Sequence, residues 1–207
     1  MKRLLLLLGA AVAGAVSYFF ISNSRAATES AKYRVLHDEG NYQIRQYPAL
    51  MVAGTSVSGT TSDQGFQRLF RFIQGANARE RKISMTTPVL IDHPPEEGGQ
   101  ERMSFVMPAE LKQEGVPEPD DDAVTITERR PQTVAVYRYQ GKQSRANEHE
   151  SLEKLRDWMR ATNLQEAGTP VIAYYDPPWT PATLRRNEVL IPVKTPLPEG
   201  DWQPDKP

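Results

Sequence analysis

"YQIRQYPALMVAGTSVSG", Tyr42 to Gly59, and "VTITERRPQTVAVYRYQG", Val124 to Gly141, decide how this chain is read, because one lies over the other. Each opens on a run that alternates polar with apolar or β-branched residues, meets Pro48 or Pro131, resumes the alternation, and stops at Gly59 or Gly141. Period-two alternation marks a strand with one buried face, and a proline inside such a run interrupts it. In both copies the period then lengthens. From about Ser62 to Gln74, Phe66, Leu69, Phe70 and Ile73 fall at i, i+3, i+4 and i+7, the buried stripe of an amphipathic helix closed by Gly75. That stripe leaves Phe72 on the helix flank, one turn from Arg68 and beside Gly65. The second helix runs from about Ser144 to Ala161, with Leu152, Leu155 and Met159 inward.

The remaining strands surround these units. Tyr33 to Gly59 reads as consecutive antiparallel strands, and further strands are expected at Lys82 to Ile91, Arg102 to Met107, Pro170 to Tyr175 and Asn187 to Val193. Asp92 to Gln100 has the proline and glycine content of a surface loop, and Pro108 to Asp122 is an acidic connection. Two ββα units, each followed by strands, predict an α+β domain with pseudo-twofold symmetry, its strands joined in one curved sheet or barrel. The strands of either half alone leave an apolar face uncovered, so residues 27–207 are expected to form a single domain.

Residues 1–26 stand apart. Lys2 and Arg3 precede the uncharged run Leu4 to Ile21, and Ser24 and Ala26 offer small residues at a cleavage position. The pattern fits a secretory signal peptide, and the run is just long enough to serve instead as an N-terminal membrane anchor. Either way the domain is expected outside the cytoplasm, periplasmic or held at the inner membrane through residues 4–21. Of 25 basic residues, Lys2, Arg3 and Arg25 lie in this leader, so the rest of the chain has 22 basic against 26 acidic side chains. That mildly acidic balance gives no electrostatic case for nucleic acid. With no cysteine, a disulfide framework, a CxxC zinc site, a thiol nucleophile and covalent haem attachment are all excluded.

The chemically suggestive motifs are incomplete. His149-Glu150-Ser151-Leu152-Glu153 begins as HExxH but ends on glutamate, and neither His37 nor His93 has a second ligand at metal spacing. Gly54-Thr55-Ser56-Val57-Ser58 lacks the last glycine of a nucleophile elbow and lies in a strand. Asp120 to Asp122 lacks the turn glycine and distal glutamate of a calcium loop, and there is no P-loop or GxGxxG. Binding is what remains. The pattern of the first helix alone favours Phe72 as cover for a neighbouring loop and Arg68 as an ordinary surface charge, over a flat ring laid on Phe72 with a rim carboxylate on Arg68. Pro177, Pro178 and Pro181 make "YDPPWTP" (Tyr175 to Pro181) a stiff arch that holds Trp179 in one place, a clamp that closes the barrel around a buried Trp in preference to a border of the ligand groove. Asp176 is free to accept local amides, and Arg185 and Arg186 lie near enough to pair with it or with Glu188.

Four segments in this order, "YQIRQYP" (Tyr42 to Pro48), "FQRLFRFIQGAN" (Phe66 to Asn77), "RKISMTTPV" (Arg81 to Val89) and "YDPPWTPATLRRNEVLIPV" (Tyr175 to Val193), resemble the SOUL haem-binding family. The likeness covers roughly Tyr33 to Lys194. It implies a distorted antiparallel β-barrel flanked by two helices and built from two related halves. It also implies haem or another tetrapyrrole bound without a covalent link in a hydrophobic groove beside the first helix, with basic residues near the propionates. Carried over by position, the contact residues are Arg68, Leu69, Phe72 and Ile73, with Met85 and Pro88 from the following strand. His37, His93 and His149 match no axial ligand, so the iron ligand stays open. The resulting expectation is a monomeric, non-catalytic carrier, buffer or scavenger of haem or a related porphyrin. The alternatives are an enzyme that removes the metal or breaks the ring, with a Tyr, Glu or His as proton donor, and a binding module for another small apolar ligand such as a cation.

Overall fold

Pro48 and Pro131 face each other at one corner of the sheet. A computed structural model describes residues 28–57, 62–93 and 99–195; the leader at 1–26, Gly59 and most of the loop after Asp92 lie outside the described residues. The repeated strands are β3 (Tyr42–Tyr47) and β4 (Leu50–Val57) in the first copy, and β8 (Thr125–Arg129) and β9 (Gln132–Tyr139) in the second. Strands of one copy do not pair with each other. Instead β3 pairs with β9 and β4 with β8, and the register passes unbroken through the corner: Tyr42 opposite Tyr137, Tyr47 opposite Gln132, Leu50 opposite Arg129, Gly54 opposite Thr125. Each proline lacks the N–H a ladder needs and fixes φ, so both strands turn together where the prolines meet.

The other strands are β1 (Glu29–Ser30), β2 (Arg34–Glu39), β5 (Thr86–Thr87), β6 (Val89–Asp92), β7 (Glu101–Val106), β10 (Val171–Tyr174) and β11 (Asn187–Pro192). β1 and β5 form a short parallel pair, and the rest form one antiparallel nine-stranded sheet in the order β2-β3-β9-β11-β10-β6-β7-β4-β8. The closed barrel expected from the sequence is not seen. Among the described residues the outer strands β2 and β8 do not pair; both carry only exposed and half-buried side chains and end the sheet. The strand expected from Lys82 begins only at Thr86, because the Asn77 side chain holds the chain before it in a turn. Its amide donates to the carbonyls of Phe72 (3.1 Å) and Arg81 (2.8 Å), while its oxygen accepts the Arg81 N–H (3.1 Å).

The helices are α1 (Ser62–Ile73), α2 (Leu111–Glu114), a single turn within the acidic connection, and α3 (Arg145–Ala161), whose first turn is capped by the Ser144 hydroxyl. α1 and α3 cover one face. Leu69, Phe72, Ile73, Leu155 and Met159 pack there on Ile44, Ala53, Phe105, Ala135, Ile172 and Val189. The opposite face carries a second apolar cluster that includes Tyr47, Val52, Leu90, Val134, Ala173 and Leu190, and Ala31 from the N-terminal segment covers part of it.

Candidate functional site

Gly65 sets the rotation of α1. A Cβ at this position would collide with the Val57 side chain of β4, so the glycine lets helix and sheet approach closely. The inward face is therefore Gly65, Leu69, Phe72 and Ile73, at i, i+4, i+7 and i+8. This corrects the sequence expectation. Phe72 is buried, with 1% of its surface exposed, whereas Phe66 and Phe70 lie outside at 37% and 41%. Their rings stack on each other with centroids 5.9 Å apart, and Phe66 meets Phe105 of β7 edge-on at 5.2 Å. Arg68 occupies the other flank, where it donates to Asp121 (3.0 Å) and to the Thr55 hydroxyl of β4 (3.2 Å). The strand order β8-β4-β7-β6 then fixes the directions: Arg68 points toward the sheet edge, and the Phe66–Phe70 shelf toward β7 and the middle of the sheet.

The six contact residues expected from the sequence are not brought together on one accessible surface. Leu69, Phe72 and Ile73 fill the core under α1, and Met85 packs half-buried against that core. Arg68 is tied down on the outer flank. Pro88 lies across the sheet, lining a small cavity with Ala31, Tyr47, Leu90 and Val106. Phe66 and Phe70 are what sequence reasoning turned the wrong way. The signal for them was Gly65, a residue with no hydropathy to register.

The helix-free side of the sheet holds a buried charge network. Arg45 of β3 donates through both Nη atoms to Glu188 of β11, at 2.6 and 2.9 Å, and both side chains are fully buried. Arg186 also donates to Glu188 (2.7 and 2.9 Å), as does the Tyr175 hydroxyl (3.0 Å), while Gln43 accepts from Arg45 Nε at 2.7 Å. Burial by itself would raise the Glu188 pKa, but the hydrogen bonds and charges of Arg45 and Arg186 outweigh it and hold the carboxyl below its ordinary range. Within the arch, Asp176 accepts the Arg186 N–H at 2.6 Å, as its position suggested, and Arg186 pairs with Glu188. Arg185 instead donates to the carbonyls of Thr180 (2.7 Å) and Pro178. Trp179, expected to be buried, is 84% exposed.

A family model described as "SOUL heme-binding protein" matches residues 28–192, the greater part of the chain. The chain belongs to the SOUL heme-binding protein family. Among similar proteins, human Heme-binding protein 2 is 33% identical over 129 residues, 58% of this chain and 62% of the relative, so the match spans less than two thirds of that protein. Heme-binding protein 1 of Xenopus laevis is 27% identical over 156 residues, 72% of this chain and 81% of the relative. The C-terminal domain of EcmrR superposes with a TM-score of 0.59 at 12% identity, covering 78% of this chain and 98% of that domain. A Listeria innocua hydrolase encoded by lin2189 superposes at 0.55 and 9% identity, covering 74% and 92%. At these identities the two structures share the fold alone.

The three histidines of the SOUL chain sit in different surroundings. His37, opposite Ile44 on the helix-covered face, packs on Trp158 of α3 (6.4 Å), and His149 is exposed on α3. His93 is in a polar cluster, its Nδ1 2.7 Å from Glu101 and 3.0 Å from Arg145, with Glu148 at 3.6 Å from Nε2. The Tyr174 hydroxyl donates to Glu148, and burial pushes the phenols of both Tyr174 and its neighbour Tyr139 well up, so they keep their protons. Among the described residues no group of three or more His, Asp or Glu is placed to hold a metal ion. The exposed, stacked Phe66–Phe70 pair is an apolar surface on the flank of α1.

Proposed function

We propose that this protein binds haem or a related tetrapyrrole without a covalent bond, the macrocycle lying against the Phe66–Phe70 shelf of α1. It acts as a monomeric carrier, buffer or scavenger outside the cytoplasm, in the periplasm or at the outer face of the inner membrane. Family membership and the haem-binding names of its relatives support the ligand class. The single observation that supports the place is the pair of stacked phenylalanines left exposed beside a sheet that could have buried them. Each ~100 Å² of apolar surface withdrawn from water contributes about 2.5 kcal/mol, against an association cost of several kcal/mol. A face of porphyrin size covers both terms with little contribution from the iron.

A binding role also suits the titratable groups. The buried phenols that face the middle of the sheet hold their protons too tightly for efficient acid catalysis near neutral pH. The test is a visible-spectrum titration of the purified protein with haem and, separately, with a metal-free porphyrin. Stable shifted bands with both ligands, weakened at least tenfold in a Phe66→Ala/Phe70→Ala variant, are the expected result. Unmoved spectra at micromolar protein overturn the reading. Loss of iron or bleaching over time would instead indicate an enzyme acting on the ring.

A further inference from the structure

The side chain least accounted for by folding is Trp179. It stands 84% exposed in an arch whose three prolines leave it few backbone donors. Pro177, Pro178 and Pro181 have no N–H to leave unpaired; the Thr180 N–H donates to the Pro177 carbonyl at 3.0 Å, and Arg185 takes the carbonyls of Pro178 and Thr180. Such a tip has few backbone N–H groups to strip of water in a poorly hydrated layer. Indole is the side chain most at home at the boundary between lipid and water.

The place of the arch adds a second line of argument. Val89 lies opposite Tyr174, the residue before the arch begins, and the chain just ahead of Val89 carries the N-terminal segment. Glu29 pairs with Thr86, the Ala31 N–H donates to the Thr87 carbonyl at 2.8 Å, and the Tyr33 hydroxyl accepts from Arg186 at 3.2 Å. The first described residues, which the apolar run Leu4 to Ile21 precedes in the chain, thus pair just ahead of Val89, the residue opposite the last residue of β10. The linking residues, Ser22 to Ala27, reach at most about 20 Å when fully extended.

We propose that the arch is a membrane-contact element, with Trp179 seated in the headgroup layer of the bilayer that residues 4–21 occupy. This rests on the anchored form of the outside-the-cytoplasm reading. The full-length protein is reconstituted in phosphatidylcholine/phosphatidylglycerol vesicles beside a Trp179→Phe variant, and the two emission spectra are subtracted, so that Trp158 and Trp202 cancel. The difference emission is expected to move to shorter wavelength on reconstitution and to lose at least half its intensity to lipids brominated high on the acyl chain. Mass spectrometry and vesicle flotation of the same samples report separately on the leader. A leader that is present and floats while Trp179 keeps a water-like spectrum overturns the arch proposal and leaves the anchor intact. A protein that lacks residues 1–26 and ignores vesicles overturns both. Difference emission quenched by haem but indifferent to brominated lipid assigns the arch to the tetrapyrrole site and also overturns the proposal.

Discussion

Glu188 shows how much one carboxylate is asked to hold. Its two oxygens take hydrogen bonds from Arg45, Arg186 and Tyr175, the arginine planes lie on the rings of Tyr33 (4.2 Å) and Tyr175 (3.9 Å), and Glu188 itself is fully buried. Removing one partner from such a pair leaves the other charge buried and uncompensated, a loss of roughly 3–5 kcal/mol, whereas replacing both with apolar side chains costs far less. Glu188→Gln is therefore expected to destabilise by about 3 kcal/mol in urea unfolding, and Arg45→Met/Arg186→Met/Glu188→Leu, which removes every charge of the cluster, by clearly less. The sign with pH follows from the depressed pKa. Glu188 is charged in the folded state at pH values where the unfolded chain, titrating near 4.5, has begun to take up a proton. Its contribution is complete above that value and fades as the pH falls through the lower folded-state pKa. The urea midpoint should fall on acidification below about pH 4.5, and the fall should be shallower in Glu188→Gln.

At the scale of the element, α1 separates what the sequence discloses from what it conceals. Its existence and its ends were legible, since the apolar period and Gly75 agree. Its rotation was not. Phe66 and Phe70 fit the apolar stripe as well as Leu69 and Ile73 do, and hydropathy cannot tell that a glycine is the residue pressed against Val57. Trp179 misled for a similar reason, because a large aromatic between prolines reads as core until its surroundings are known. The rotation has a measurable consequence. Phe72→Ala empties a site in the core and should cost about 3–5 kcal/mol of folding free energy. Phe66→Ala and Phe70→Ala, already partly in water, should cost about 1 kcal/mol or less each while weakening ligand binding. Thermal melts run beside porphyrin titrations separate the two effects; equal losses of stability at Phe70 and Phe72 would mean that α1 is turned differently.

Over the whole molecule, the duplication was visible but its pairing was not. Alternation and proline placement are local properties, while the choice of partner strand is made across the chain, and each repeat was read as strands neighbouring in sequence. The sheet exchanges them: β3 lies on β9, β4 on β8, and β6 on β10, so every seam between the repeats joins strands far apart in sequence. A first half cut after Val116 would keep β4, β6 and β7 together but expose unpaired edges at β3, β4 and β6, and the second half would bare β8, β9 and β10. Open edges and the loss of the other half's strands from the shared core leave too little buried surface to offset chain entropy. Neither fragment 28–116 nor fragment 117–195 is expected to give a cooperative thermal transition by circular dichroism, and an equimolar mixture should recover one, because each fragment supplies the edges the other lacks. A half that melts cooperatively alone would show that the repeats are independent folding units and that the exchanged ladder is a docking of finished parts.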